Sequence, residues 1–504
     1  MKNLNSILCL ILLFLITHIA YAARGDLEQI YQGQDIDTMI VNFMKENNIP
    51  GMVLAIVEAP YIPRVVGYGL ADINSKRLVS TNTIFNIGQI TDAFTAVGIM
   101  QLVDAGMLKL DNPMKTYISN LPRAWQNITV RELISHSSGL PNYADAPSFD
   151  YNHSYTPDQI ISLIQNKPLL FTPGTAVAAS ATDFYFLRML IEKNSGMSYQ
   201  EFIKKNQFER IPLKHTFFVS NVSDIKNEIN NGSIPFKHTL FTKKAEYINP
   251  TELATGYTQV NNSLVVAKPI SGGSTFADAD IVSSAEDISI WDIGLAGDVF
   301  IKNKENRDFL YNTITLKNGK IIHANAGWQF PGFPKFMYIE GHVAGYSSFL
   351  SRFTAPKELV CVTLLANKGN VLGLEELGRK IAGSYNLRLG PPNKAVWIES
   401  KQSPFSDKET FDRFIAAVKE QNINVAKSQN NNGTYVLNLN APSKATASLP
   451  FQVIVMKDQI GQVWLQFTNP VALAKKYGIQ GQDEQLKQMY SALLKATRKT
   501  TTAY

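Results

Sequence analysis

Thr91, Ser180 and Ser347 are the hydroxyls that could act as nucleophiles in this chain, and His342 and Asp92 are the groups that could serve them as a base. That chemistry needs a hydroxyl within about 3 Å of its base. Gln89, three residues before Asp92, can both donate and accept hydrogen bonds to a ligand. Asp92 falls in the first turn of its helix, where the helix dipole favours the ionised carboxylate. It is therefore expected to be a poor base unless burial overrides the dipole. His136 is expected to be a polar ring satisfied by its surroundings, and Cys361, inside Leu359–Leu365, a buried small hydrophobe. Gly272-Gly273 is followed by no Gly-Lys-Ser/Thr and reads as a plain turn rather than a phosphate loop.

The elements that must position these groups follow from periodicity. Leu27 to Asn48 predicts a helix through Ile36, Met39, Ile40 and Phe43. Met52–Val57 and Arg64–Tyr68 predict two strands. Ala93 to Val103 is apolar nearly all round, which predicts a helix buried on every side. Helices are also expected over Pro157–Asn166, Phe184–Lys193 and after the capping box of Ser283–Asp287. Residues Ile225 to Val265 are Asn- and Lys-rich and suggest a lid-like insertion. Beyond Gly390-Pro391-Pro392-Asn393 the composition shifts. A capping box at Ser406–Glu409 opens a helix, strands are expected over Tyr435–Leu439, Phe451–Met456 and Val463–Phe467, and two helices close the chain.

The sequence has 504 residues, 45% hydrophobic and 18% charged, which suits two or three globular domains. The formal charge is +6, or +5 once Lys2 leaves with the leader, and it is not clustered into a basic patch, so nucleic acid is not expected as a partner. Met1 to Ala22 reads as a secretory signal ending in Ala20-Tyr21-Ala22. An exported protein, periplasmic or secreted, with no membrane span after leader removal is expected. Its single remaining cysteine leaves no intramolecular disulfide. No cofactor or metal is expected, and the C-terminal region contains neither His nor Cys.

The stretch Phe85-Asn86-Ile87-Gly88-Gln89-Ile90-Thr91-Asp92-Ala93-Phe94-Thr95 resembles the active-site helix of the serine β-lactamase and penicillin-binding-protein superfamily, in its class C-related branch. That frame reads Phe-x-x-(Gly/Ala)-Ser-x-Thr-Lys-x-Phe-Thr, with Ser the nucleophile and Lys its helper. Gln89 and Asp92 stand at those two places. The segment Pro173-Gly174 to Phe184 resembles the family's second stretch, with Ala179 for the Tyr that relays a proton, Ser180 kept, and Ala181 for the Asn that holds the substrate amide. Glu340 to Ser348 resembles the strand bearing His-x-Gly, with His342 kept, Ala344 in place of Gly and a loop shortened after it. The resemblance places His136 in a structural turn beneath the site. Leu449–Val455 with Gly461–Pro470 resembles the domain-of-unknown-function family numbered 302, which brings no established chemistry.

The resemblance, over roughly residues 33 to 388, implies an α/β fold: an antiparallel sheet flanked by helices plus an all-helical subdomain, followed by a small α+β domain. The expected divisions are a signal peptide at 1–22, a β-lactamase-related domain at 23–390, a linker at 391–399 and the small domain at 400–504. With the nucleophile, Lys, Tyr and Asn all replaced, the expectation is a binding or scaffolding module for a peptidoglycan-type peptide or a protein partner. The candidate contacts are Gln89, Asp92, Ser180 and His342. The alternative is a β-lactamase, D-Ala-D-Ala carboxypeptidase or esterase with a relocated nucleophile. Ala344 is expected to put a Cβ on the strand facing the substrate and so to reshape the cleft.

Overall fold

Strands β1 (Gly51–Glu58), β2 (Tyr61–Asp72), β3 (Arg77–Leu78), β4 (Ala324–Asn325), β5 (Trp328–Gln329), β6 (Phe336–Val343), β7 (Tyr346–Phe353) and β8 (Val360–Ala366) form one sheet. Its order is β4-β5-β6-β7-β8-β1-β2-β3, so the last strands return to pair with the first. Every pairing is antiparallel. The computed structural model describes residues 29–31, 33–58, 61–219, 240–241, 247–248, 253–261, 263–268, 277–331, 336–353, 359–386, 389–390, 398–431, 433–443, 446–447, 449–457, 463–476, 479 and 483–502. The leader, Gly272-Gly273, Pro391–Asn393 and much of the expected lid lie outside these residues.

Both faces of this sheet are covered, and the period of two divides its residues between them. On β6, Met337 and Ile339 join the core built around the helix at Ile90–Asp104, whereas Phe336 and Tyr338 join a second core on the opposite face. That opposite face carries α1 (Ile36–Glu46) at the start of the chain. The first face carries α2 (Ile90–Asp104), α3 (Ala181–Ser195) and α4 (Ala285–Ala296). A further helix, α5 (Leu374–Tyr385), packs beside α1. Helix α2 is buried almost throughout, as its apolar circumference predicts. Phe94 on α2 stacks on Trp291 of α4 at 3.8 Å between ring centroids. Cys361 on β8 is 2% exposed and burial holds its thiol well above the ordinary range, so it is an inert hydrophobe.

Beyond residue 397 a five-stranded sheet, β9 (Ile398–Ser403), β10 (Val425–Asn431), β11 (Thr434–Leu439), β12 (Gln452–Lys457) and β13 (Val463–Thr468), runs in the order β9-β13-β12-β11-β10. It has its own core with α6 (Asp407–Glu420) and α7 (Asp483–Thr501). It meets the first sheet's α5 face through polar groups: Arg498 Nε lies 3.5 Å from Glu340 Oε2, and Lys401 Nζ lies 2.5 Å from Glu375 Oε2.

Two expectations differ from the structure. The first helix begins at Ile36, not Leu27, because Gly33 at φ +79° turns a short hairpin (Ile30–Tyr31 with Gln34–Asp35) and Asp35 then caps the Thr38 N–H. The capping box at Ser283–Asp287 is one-sided: Ser284 caps Asp287 N, but the Asp287 carboxylate is taken by His215 N and Thr216 Oγ1.

Candidate functional site

The first turn of α2 meets the edge of β6. Gly88 (φ +53°) and Gly341 make that approach possible, since a Cβ on Gly341 would sit 2.4 Å from the Ile87 carbonyl oxygen. Gln89 ends this seam. Its Oε1 accepts from the His342 backbone N–H at 2.8 Å, and its Nε2 donates to Asp278 Oδ2 at 3.3 Å. The carboxamide therefore occupies this strand-edge donor. Gly341→Val is expected to unseat the α2 terminus and to lower stability by about 1–3 kcal/mol. Urea unfolding checks this, and an unchanged midpoint would mean that the seam tolerates a side chain.

Behind Gln89 lies a group of carboxylates. Asp92 is 4% exposed, its carboxyl is hydrogen-bonded to that of Asp278, and its Oδ1 has no hydrogen-bond partner. Gly327 (φ +84°) brings the β4–β5 turn to within 3.1 Å of the Asp92 Cβ, measured from where its own Cβ would be. Burial, then the charges of Asp278 and Asp183, hold the Asp92 carboxyl well above the ordinary range. Burial has thus overridden the helix dipole, the exception that the sequence left open. Burial also pushes Asp278 up to about 6, and Asp280, with both oxygens buried, up to about 6 against the opposing Arg188 charge. Asp92 and Asp278 each act on the other's titration, so they titrate as a pair.

The opposite wall is the entry to α3. His136 Nδ1 lies 2.9 Å from Asp183 Oδ2, and the Ser138 hydroxyl donates to Asp183 Oδ1 at 2.5 Å. With His136 4% and Asp183 0% exposed, this ties the turn at 136–138 to α3 and gives His136 a structural place. Ser180 caps nothing, and its Oγ is buried without a partner. Ala179 is exposed and Ala181 half-buried beside it, two methyl groups with no polar atom to offer.

Two expected cleft residues lie elsewhere. The His342 side chain follows Tyr338 and Glu340 onto the far face of the sheet, because the alternation that aims Met337, Ile339 and Gly341 at α2 aims His342 away. Only its backbone N–H serves the site. The ring is pushed down to about 4, by burial first and by Arg498 second, so it is neutral at physiological pH. Ala344 is not a strand residue facing the cleft. It is exposed in the two-residue turn between β6 and β7, where Gly345 takes φ +84°.

The candidate hydroxyls do not meet a base. Thr91 Oγ1 and Ser180 Oγ have no hydrogen-bond partner. Ser347 Oγ is 3.4 Å from His342 Nδ1, on that same far face, and donates to the Lys368 carbonyl at 2.9 Å instead. Sequence reasoning passed over Asp278 and Asp280. The one available signal was the Asp-x-Asp spacing immediately before Ile281.

The family model described as Beta-lactamase matches residues 36–368. Penicillin-binding protein 4* of Bacillus subtilis (strain 168) is 27% identical over 325 residues, 63% of this chain and 68% of that protein. Protein flp of Staphylococcus aureus (strain MW2) is 23% identical over 348 residues, 66% of this chain but 63% of that protein, less than two thirds of its length. Among solved structures, the octameric penicillin-binding protein homologue from Pyrococcus abyssi aligns with a TM-score of 0.60 at 21% identity, covering 86% of this chain and 95% of that one. A class C beta-lactamase aligns with a TM-score of 0.54 at 19% identity, covering 71% of this chain and 96% of that one. At these identities the solved structures speak for the fold: an antiparallel sheet flanked by helices.

Proposed function

The chain belongs to the Beta-lactamase family, and from that premise we propose that it is an exported member that holds a ligand in its cleft without forming an acyl-enzyme. The observation that carries this reading is Gln89. It stands where a nucleophile would, and its carboxamide is already bonded to the β6 edge and to Asp278. Asp92 in the following turn is a carboxyl pair-bonded to Asp278, not an amine that could take up a nucleophile's proton. Removal of a nucleophile or its base costs on the order of a million-fold in another serine hydrolase. Here both are replaced, and Ala179 and Ala181 offer no relay. The ligand class that suits the reading is a peptidoglycan-type peptide, or a segment of a protein partner, and the leader-like Met1–Ala22 supports export. A relocated nucleophile has little in its favour, since neither Thr91, Ser180 nor Ser347 is hydrogen-bonded at close range to a base.

The test is to incubate the mature protein with a fluorescent penicillin and with a reactive ester and to read the intact mass. The expected result is an unchanged mass with both. A stoichiometric adduct that maps to one residue would overturn the reading.

A further inference from the structure

We propose that the cleft selects ligands by an ammonium group, seated between the Asp92–Asp278 carboxyl pair and the aromatic wall that Tyr151 presents. This deepens the ligand-binding reading above and rests on it.

Four observations lead there. The first is charge. Asp92 stands where the family frame has a Lys, and Asp278, Asp280 and Asp183 are near enough for their charges to act on it. Of the cations that reach this group, His136 is bonded to Asp183, and Arg188, whose charge acts on Asp280, has its Nε 3.0 Å from Glu192. The second is hydrogen bonding. Asp92 Oδ1 is a buried acceptor without a donor, Asp92 being 4% exposed. Buried acceptors without donors are costly, and an ammonium brings three donors and no acceptor.

The third is the aromatic wall. Phe149 stacks on Tyr155 at 5.2 Å and meets Tyr143 and Tyr151 edge-on at 5.1 and 4.9 Å. Tyr151 keeps 47% of its surface open, and the charge of Asp278 reaches both Tyr143 and Tyr151. An exposed ring beside a carboxylate suits an organic cation. The fourth separates this from a metal site: among the described residues no three His, Cys, Asp or Glu side chains converge as metal ligands do.

The pair gains negative charge as Asp278 ionises near pH 6, so an ammonium must bind more tightly as pH rises through that point. The titratable and charged groups that face this pair are Asp280, Asp183 with His136, Arg188, Tyr143, Tyr151 and Tyr199.

The full chain is titrated calorimetrically with 1,5-diaminopentane at pH 7.5 and pH 5.0, at constant ionic strength. Glutarate, a dianion of the same length, serves as the comparison. The diamine is expected to saturate, to bind at least tenfold more tightly at pH 7.5, and to outcompete glutarate as a ligand. Asp92→Asn and Tyr151→Ala are each expected to weaken it about tenfold; the second changes an exposed ring and keeps the test alive should the first not fold. Absence of saturable diamine binding, binding of glutarate as tight or tighter, or a diamine affinity that both variants leave unmoved would overturn the proposal. A penicillin adduct would end the non-acylating reading without touching the diamine titration, and a failed diamine titration leaves that reading standing.

Discussion

Arg352→Met is expected to remove about 3–5 kcal/mol of stability, the range for breaking one side of a buried ion pair. Arg352 on β7 is 2% exposed and Asp292 on α4 is 1% exposed. The guanidinium gives Asp292 Oδ1 a bond from Nε at 2.8 Å, a second bond from its Nη2, and gives the Asp292 carbonyl a third at 3.1 Å. The rings of Tyr311 and Trp328 stand 5.2 and 5.4 Å from its carbon. Burial works against the guanidinium charge, but the Asp292 carboxylate outweighs it and holds the proton more tightly than in water. Methionine fills much of the volume and leaves Asp292 without a counter-ion in a place water does not reach. The damage should travel to the site, because α4 also carries Trp291, the ring on which Phe94 of α2 rests. Scanning calorimetry of the two proteins measures the loss. The double variant Arg352→Met/Asp292→Leu is expected to recover most of it, since an apolar replacement of the whole pair is often neutral or better. A single variant within 1 kcal/mol of the parent, or a double variant as unstable as the single, would show that the pair does not hold α4 to the sheet.

How far this arrangement can be seen in the sequence depends on the kind of signal each part leaves. Helix α2 is written in its composition: apolar residues on every side of Ala93–Val103 admit only a buried helix, and that is where it lies. The strands β9 and β10 leave no such signal. Val-Ala-Lys-Ser-Gln-Asn-Asn is polar because it is an edge strand, where charge and amides discourage further pairing, and Ile-Glu-Ser-Lys-Gln-Ser is polar because it meets α5 through Lys401 with Glu375 and Gln402 with Arg379. The side-chain face of His342 was equally out of reach. A strand's residues alternate, so a one-residue difference in register exchanges its two faces, and Gly341-His342-Val343 is compatible with either. Asp278 and Asp280 belong to an irregular segment before Ile281, where no periodicity exists to read. Their burial is a product of the long-range contact between that segment and α2, seen in the Thr95 hydroxyl bonding the Ala277 carbonyl at 2.8 Å.

Asp280→Asn is expected to make the protein more stable at pH 7.5, by as much as about 3 kcal/mol. The carboxyl is 1% exposed, and burial outweighs the Arg188 charge and the backbone N–H groups of Ala277 and Asp280 to raise it to about 6 from the 3.8 of an exposed aspartate. Each unit of such a difference is worth about 1.4 kcal/mol. The sign follows from which state binds the proton. Below about pH 3.8 both folded and unfolded chains hold it, and the group makes no demand. As pH rises from there to about 6 the unfolded chain releases it first, so stability falls across this window and then levels off. Asp278 is raised to about 6 as well and adds to the same fall. Asp72, bonded by Thr255 and Ser75 and lowered to about 2, works in the opposite direction and only in more acid solution, so the two effects separate on the pH axis. Urea midpoints measured from pH 3.5 to 8 for the parent and Asp280→Asn are therefore expected to converge at the acid end and to diverge above pH 5, with the variant on top. Curves that stay parallel, or a variant less stable at pH 7.5, would mean that the Asp280 charge has a partner in the folded protein. If the diamine binds as proposed, it should raise the parent's midpoint most where the parent is weakest, above pH 6, because the ligand then supplies the countercharge that the fold withholds.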